Sequence, residues 1–161
     1  MMEFRKGKRV IVNLDKVAGS PGPYTMSYGF DLNFLCESIK RVGVINPPLL
    51  AGNREGGYDV VSGYRRILAL KALGMKEAPC LDVTDLPASP MERFLTGFYE
   101  NLATRQFNAI EKAMILQKLE GGVNKEEILA HFMPLLSLPS HERTLKFYLK
   151  LLELEQTDQK A

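Results

Sequence analysis

Cysteine is scarce in this chain: Cys36 and Cys80 are the two among 161 residues. That excludes a multi-disulfide scaffold and an all-cysteine zinc site, and it suits a reducing compartment. Histidine is equally scarce. His131 and His141 lack a matching carboxylate or cysteine pattern and read as surface or helix-end residues. No uncharged apolar run approaches the ~18–20 residues of a membrane-spanning helix, so no membrane partner is expected. The basic N-terminus, Met1 to Arg9, has no apolar stretch and cleavage site behind it, so it is not read as a secretory signal. Internal repeats and low-complexity segments are missing too. Neither sign of charge dominates: 21 Lys+Arg stand against 19 Asp+Glu, a net charge of +2. A domain holding nucleic acid by electrostatics alone is usually more basic. What is present is an ordinary globular mixture, 45% hydrophobic and 25% charged, sufficient for one domain or two small ones.

Up to about Thr84 the pattern alternates between strands and helices. Arg9 to Leu14 is a β-branched run and reads as a strand. Residues 18–29 read as a loop rich in Gly, Ser, Pro and Tyr. Asp31 is the expected N-cap of a helix on which Leu32, Leu35, Ile39 and Val42 recur, stopped by Gly43. Pro47 to Ala51 is extended, because Pro48 disfavours helix before it. Across the turn Asn53 to Gly57, the strand Tyr58 to Ser62 pairs with it as a hairpin. A helix follows from Tyr64 to Leu73, closed by Gly74, and then a further strand, Pro79 to Val83. From Asp85 onward the pattern is helical. Ser89, Pro90 and Glu92 occupy N-cap, N1 and N3 of one helix, which runs to about Thr104. Asn108 and Glu111 repeat the device for a second helix, ending at Glu120. Asn124 and Glu127 open a third, ending near Phe132. Met133 to Pro139 reads as an apolar loop, and Ser140 caps a last helix with Leu145, Tyr148, Leu149 and Leu152 on one face. The expected class is α+β: a small mixed-sheet domain over 1–86 and an all-helical domain over 87–161.

Two places carry residues suited to chemistry. In Ser62-Gly63-Tyr64-Arg65-Arg66 a strand ends, a glycine turns the chain and a helix begins. A helix N-terminus offers free N–H groups and partial positive charge, and two arginines in its first turn add cations shaped for phosphate oxygens. The same local pattern fits an ordinary strand-to-helix turn with two solvated arginines. The second place is Glu100-Asn101, followed by Arg105. Adjacent Glu and Asn offer oxygen ligands to Mg²⁺, and Asn101 and Arg105 share a helix face. An exposed polar face fits those residues as well. On the last helix, Arg143, Lys146 and Lys150 stand at i, i+3 and i+7. They form a cationic face that would meet DNA if the last two helices are a helix-turn-helix, and a solvated face if they are a plain bundle.

Together these segments resemble the ParB family of partition proteins, from about Val10 to Leu154. The resemblance is carried by Leu35-Cys36-Glu37-Ser38-Ile39-Lys40-Arg41-Val42-Gly43. It continues through Gly57-Tyr58-Asp59-Val60-Val61-Ser62-Gly63-Tyr64-Arg65-Arg66, and through Glu100-Asn101-Leu102 with Asn108, Ile110, Glu111 and Ala113. It implies an N-terminal α/β domain of the ParB/sulfiredoxin kind and a helical helix-turn-helix domain. It also implies CTP with Mg²⁺ as ligands, DNA as partner, a clamp switch and at most slow hydrolysis of the nucleotide. Gly63, Arg65 and Arg66 match the family's phosphate-binding Gly-x-Arg-Arg motif, with Ser62 and Tyr64 inside the same turn. Glu100 and Asn101 match the pair that helps hold metal and triphosphate, with Arg105 beside them. Tyr64 stands where the family commonly has Glu, and Thr104 where it often has Arg. Sulfiredoxin activity is not expected, because its reactive cysteine position is Tyr64. A homodimer in the full-length protein, a partition ATPase as partner and a cytoplasmic, nucleoid-associated location are further implications. A metal-dependent nuclease, a small-molecule kinase and a non-catalytic interaction module on the same fold remain alternatives.

Divided by segment, the charge becomes informative. Residues 1–9 carry +3, residues 10–84 carry +1, and residues 85–161 carry −2, with nine Lys+Arg against eleven Asp+Glu. Phosphate neutralisation supplies most non-specific DNA affinity. The slightly acidic helical half is therefore expected to meet DNA with the help of a dimer or partner.

Overall fold

The computed structural model describes residues 7–160, so most of the basic N-terminal segment lies outside the described residues. Contacts divide the chain into two units, residues 1–100 and 101–161. In the first, strands β1 (Lys8–Asn13), β2 (Leu49–Gly52), β3 (Tyr58–Ser62) and β4 (Glu77–Asp82) form one mixed sheet. Its order is β1-β4-β2-β3. β1 runs antiparallel to β4, β4 parallel to β2, and β2 antiparallel to β3 as the expected hairpin. Side chains alternate across a strand, so the register pairing Val10 with Cys80 and Val12 with Ala78 puts all four on one face. Helices α1 (Asn33–Val42) and α2 (Tyr64–Ala72) bring Ile39, Ile67, Ala69 and Leu70 to the same core. Burial pushes the Cys80 thiol up to about 11, against the opposing pull of the Arg66 charge.

Three boundaries differ from expectation, each for a local reason. Leu14 leaves β1 and opens a 3-10 turn, Leu14–Lys16, because the Asn13 side chain accepts the Asp15 N–H at 2.9 Å. Asp31 lies one residue before the N-cap of α1, which is Leu32, yet its carboxylate accepts the Asn33 N–H at 2.6 Å. β4 begins at Glu77, earlier than expected, and runs through Pro79. Alternate N–H groups here, those of Leu81 in β4 and of Val83 just past its end, donate to Pro48 and Leu50 on the β2 side. Pro79 is in phase with them, at a level where β2 has not begun, so its missing N–H leaves no ladder bond unmade.

Helix α3 (Pro90–Thr104) starts at the expected capping box: Ser89 Oγ accepts the Glu92 N–H at 3.2 Å, and Glu92 accepts the Ser89 N–H at 2.7 Å. Those bonds hold the Glu92 carboxyl below the usual carboxylate range. Phe94 and Phe98 bury one face of α3. Between them Gly97 lets the helix lie against the backbone of β3. A Cβ there would stand 2.3 Å from the Val61 carbonyl oxygen and 3.6 Å from Met26 Cε.

The second unit contains α4 (Ala109–Glu120), α5 (Lys125–Glu127), a π turn Ile128–Phe132, α6 (Met133–Leu135) and α7 (Glu142–Asp158). α4 and α7 pack together. The apolar segment from Met133 is not all loop: helix continues through Pro134. A proline ring clashes with the carbonyl four residues back, and the wider π turn displaces those carbonyls. The chain then reverses at Ser137, whose φ is +57°. His141, not Ser140, is the N-cap of α7, and its side chain makes no capping bond. Among the described residues no helix is long and apolar enough to cross a membrane.

Gly97→Ala is expected to lower unfolding free energy by about 1–3 kcal/mol through overpacking against β3. Denaturant titration of the variant against the wild type checks this.

Candidate functional site

The turn Ser62-Gly63 delivers the chain from β3 into α2. Gly63 has φ +94° and ψ +28°, a left-handed conformation that residues with a Cβ rarely adopt. Lacking a side chain, Gly63 also leaves room for Arg66, whose guanidinium atoms would lie 3.0–3.1 Å from a Cβ. Arg66 Nη2 donates to Glu100 Oε1 at 3.1 Å, while Nη1 bonds the carbonyl of Asn46 and lies 3.5 Å from that of Pro47. Ser62 Oγ donates to the other Glu100 oxygen at 2.6 Å. The Arg66 side chain is 17% exposed and that of Glu100 36%, so the pair sits at a partly open surface.

Consecutive helical residues point about 100° apart, so Arg65 goes elsewhere. Its Nε donates to Ser27 Oγ at 3.3 Å, and its guanidinium lies 4.6 Å over the Phe30 ring. The Tyr64 hydroxyl donates to the Gly19 carbonyl at 2.9 Å, and its ring meets Phe30 edge-on. Burial raises the Tyr64 hydroxyl above its ordinary value, favouring the protonated donor. Two loop segments, around Gly19 and around Ser27 to Phe30, are thus held against the first turn of α2. The structure brings Ser62, Gly63, Arg66 and Glu100 together. It adds Ser27, Phe30 and the Asn46 carbonyl, which the sequence analysis did not single out. Phe30 and Ser27 lie in a segment whose composition signals only a loop, and the Asn46 contact runs through a carbonyl that every residue has.

In the second unit Asn101 and Arg105 do meet. Arg105 Nε donates to Asn101 Oδ1 at 2.9 Å, Nη1 to Gln106 O at 3.3 Å, and the guanidinium lies 4.7 Å over Phe107. The same Nη1 is 2.8 Å from Glu111 Oε2. Glu111 is only 1% exposed. It earns its place twice, because that oxygen also accepts the Asn108 N–H at 3.0 Å while Asn108 Oδ1 accepts the Glu111 N–H at 2.9 Å. The capping pattern was legible in the sequence; the ion pair with Arg105 was not. Arg143, Lys146 and Lys150 lie exposed on α7. Lys125 pairs with Glu142 at 3.0 Å, which lowers the Glu142 carboxyl below the usual range.

The fold and this turn define a class first: a small mixed-sheet domain in which a strand, a left-handed glycine and an arginine-bearing helix start form a candidate anion site. Residues 5–91 match the ParB N-terminal domain model, and the chain belongs to that family. The probable chromosome-partitioning protein ParB of Vibrio cholerae is 35% identical over 95 residues, covering 58% of this chain and 31% of that protein. The probable chromosome-partitioning protein ParB of Neisseria meningitidis serogroup A is 30% identical over 148 residues, covering 81% and 50%. The chain therefore spans half or less of the length of these relatives. Among solved structures, the C-terminally truncated chromosome-partitioning protein ParB of Caulobacter crescentus complexed with CTP-gamma-S is similar with a TM-score of 0.53. Its identity is 20%, and the match covers 89% of this chain and 86% of that one. The same protein complexed to the centromeric parS site gives 0.51 at 18% identity, over 81% and 66%.

Removing the carboxylate in Glu111→Ala leaves Arg105, 18% exposed, without its ion pair and α4 without its box. A loss of about 3–5 kcal/mol is expected, measured as a shift in the urea midpoint at unchanged slope.

Proposed function

We propose that this chain is the nucleotide-binding and DNA-associated part of a partition-type protein. Its first unit takes the phosphates of CTP at Gly63, Arg65 and Arg66. The observation that carries this is the left-handed Gly63 opening α2 beside the Arg66 guanidinium, in a chain of the ParB family. A relative of the same fold was solved with CTP-gamma-S, which supports this choice of ligand. Phosphate oxygens would accept from Arg66 and from the N–H groups of the first turn of α2, where the helix dipole adds positive charge. Before that, Arg66 is engaged by Glu100, so a triphosphate would compete with the carboxylate for the guanidinium.

Mg²⁺ belongs to this reading in a restricted way. Among the described residues no three His, Cys, Asp or Glu side chains cluster as a metal site. Glu100 offers one carboxylate, and both its oxygens already accept hydrogen bonds. Mg²⁺ commonly binds one or two carboxylates with phosphates completing its shell, so Glu100 fits an ion that arrives with the nucleotide. Bound there, the ion would neutralise phosphate charge. The Asn101 side-chain oxygen, the other ligand this reading would offer the ion, is taken up by Arg105, and Arg105, itself a cation, could meet a phosphate oxygen but not the ion.

DNA is the second partner, supported by the chromosome-partitioning relatives and by the parS complex. The exposed Arg143, Lys146 and Lys150 of α7 would contact its phosphates, with α5–α6 and α7 as the helix-turn-helix. In the whole protein this reading includes a cytoplasmic, nucleoid-associated location, a homodimer and a partition ATPase as partner.

Calorimetric titration of CTP with Mg²⁺, with and without DNA, tests the nucleotide reading. Saturable binding is expected. Arg66→Ala should weaken it by about 1.5–3 kcal/mol, the worth of a charge-assisted hydrogen bond. Absence of binding by the wild type in both arms would remove the nucleotide from the proposal.

A further inference from the structure

The sheet has two edge strands, and the chain treats them differently. β3 is covered along its outer side: Val17 bridges to Tyr58, the Lys16 carbonyl lies close to Gly57, and α3 lies against the Val61 carbonyl. β1 stands at the other end of the order β1-β4-β2-β3, and among the described residues it pairs with β4 alone.

The register decides which groups of β1 stay open. The Leu14 N–H donates to the Lys76 carbonyl. Pairs in an antiparallel ladder alternate, so Val12, Val10 and Lys8 exchange bonds with Ala78, Cys80 and Asp82. Arg9, Ile11 and Asn13 are out of phase with these. The N–H and C=O of Arg9 and Ile11, and the N–H of Asn13, therefore point away from the sheet. Among the described residues no backbone group meets them. Pro79 agrees with this phase: it stands opposite Ile11, where neither strand directs an N–H at the other.

The side chains of the same residues lie on the sheet face away from α1 and α2. Ile11 is 64% exposed. Pro79 beside it is exposed and Leu81 half-buried. Lys8 pairs with Asp85 at 2.8 Å, while among the described residues Arg9 has no acidic partner. At the far end Asn13 stands across from the exposed Glu77. The edge is thus basic at its start, apolar in its middle and acidic at its end. An open row of alternating N–H and C=O groups is a template for another peptide backbone, and charged residues along it restrict which backbone pairs there.

We propose that the outer edge of β1 docks an extended, acidic segment of a partner protein, which adds to the sheet as a further strand. Its backbone bonds Arg9, Ile11 and Asn13. One β-branched side chain covers Ile11, and an acidic residue two positions away meets Arg9. Residues two apart share a face, so an antiparallel segment reads apolar-x-acidic along its own direction. An acidic residue at the other end would face Glu77, so charge also sets the register. The surface is independent of the nucleotide reading.

The probe is a labelled synthetic peptide of alternating threonine and valine in which glutamate replaces the last valine. It is titrated into the full 161-residue chain by fluorescence anisotropy. Saturable binding is expected, with a Kd of about a millimolar or tighter. Lysine in place of the glutamate should weaken it at least about threefold, and Arg9→Glu should reverse the preference between the two peptides. In amide exchange the peptide should slow the Ile11 N–H and leave those of Val10 and Val12, already in the ladder, as they were. Ile11→Pro deletes the outward N–H without touching the β1–β4 ladder. It should raise the Kd at least about tenfold at an unchanged circular dichroism spectrum. If it disturbs folding, the Arg9→Glu reversal still decides, because Arg9 is exposed. Absence of binding at millimolar peptide, an Ile11 amide the peptide leaves unprotected, or a preference that Arg9→Glu does not reverse overturns the proposal. Chains that pair without peptide in sedimentation, and cease to in Ile11→Pro, would overturn it in favour of a second copy on this edge.

Discussion

The Glu100 carboxylate is the point on which the arrangement of the first unit turns. One oxygen takes the Ser62 hydroxyl, the other takes Arg66, and so the end of β3 and the start of α2 are joined to α3 by one side chain. That reach exists because Gly97, one turn earlier on the same helix face, lets α3 approach the β3 backbone. A partly exposed ion pair of this kind contributes modestly to stability. Its larger effect is geometric: it holds a guanidinium beside a helix N-terminus in a defined orientation and keeps its charge balanced there.

Arg65 and Arg66 show how adjacent residues of one type acquire different work. Helical geometry turns them apart, Arg66 toward Glu100 and the Asn46 carbonyl, Arg65 toward Ser27 and the Phe30 ring. With the Tyr64–Gly19 bond, the second set ties loop segments to the start of α2. The position where the family commonly carries Glu is thus filled by an aromatic residue whose hydroxyl is a tether. The second unit uses the same economy in Glu111, a buried carboxylate that both completes a capping box and pairs with Arg105. Such a group is tolerable in the interior because it is both paired and hydrogen-bonded.

Much of this was legible along the chain. The three capping patterns at Ser89, Asn108 and Asn124 depend on residues three apart, and each formed as read. The hairpin, the alternation of β1 and the glycine turn at Gly63 are local signals of the same kind. Pro79, read as the first residue of its strand, and Pro134, read in a loop, both stand inside an element. A proline breaks an element only where its missing N–H or its ring meets a partner, and the surroundings decide that. Beside Pro79 the neighbouring strand has not begun, and before Pro134 a π turn makes room.

Strand and helix periodicity, caps and turn glycines are written within a few residues of one another, so the sequence alone settled the α+β class, the order of elements and the presence of arginines at a helix start. Which groups those arginines touch was decided by tertiary structure. Ser62, Arg66 and Glu100 are joined across long stretches of chain, and Gly97 matters only because β3 lies against it. Likewise the spacing of Leu145 and Leu152 makes a buried face of α7 only once the helix has packed in its unit, where it meets α4. Contacts between distant residues depend on distance in space, and no spacing along the chain encodes it.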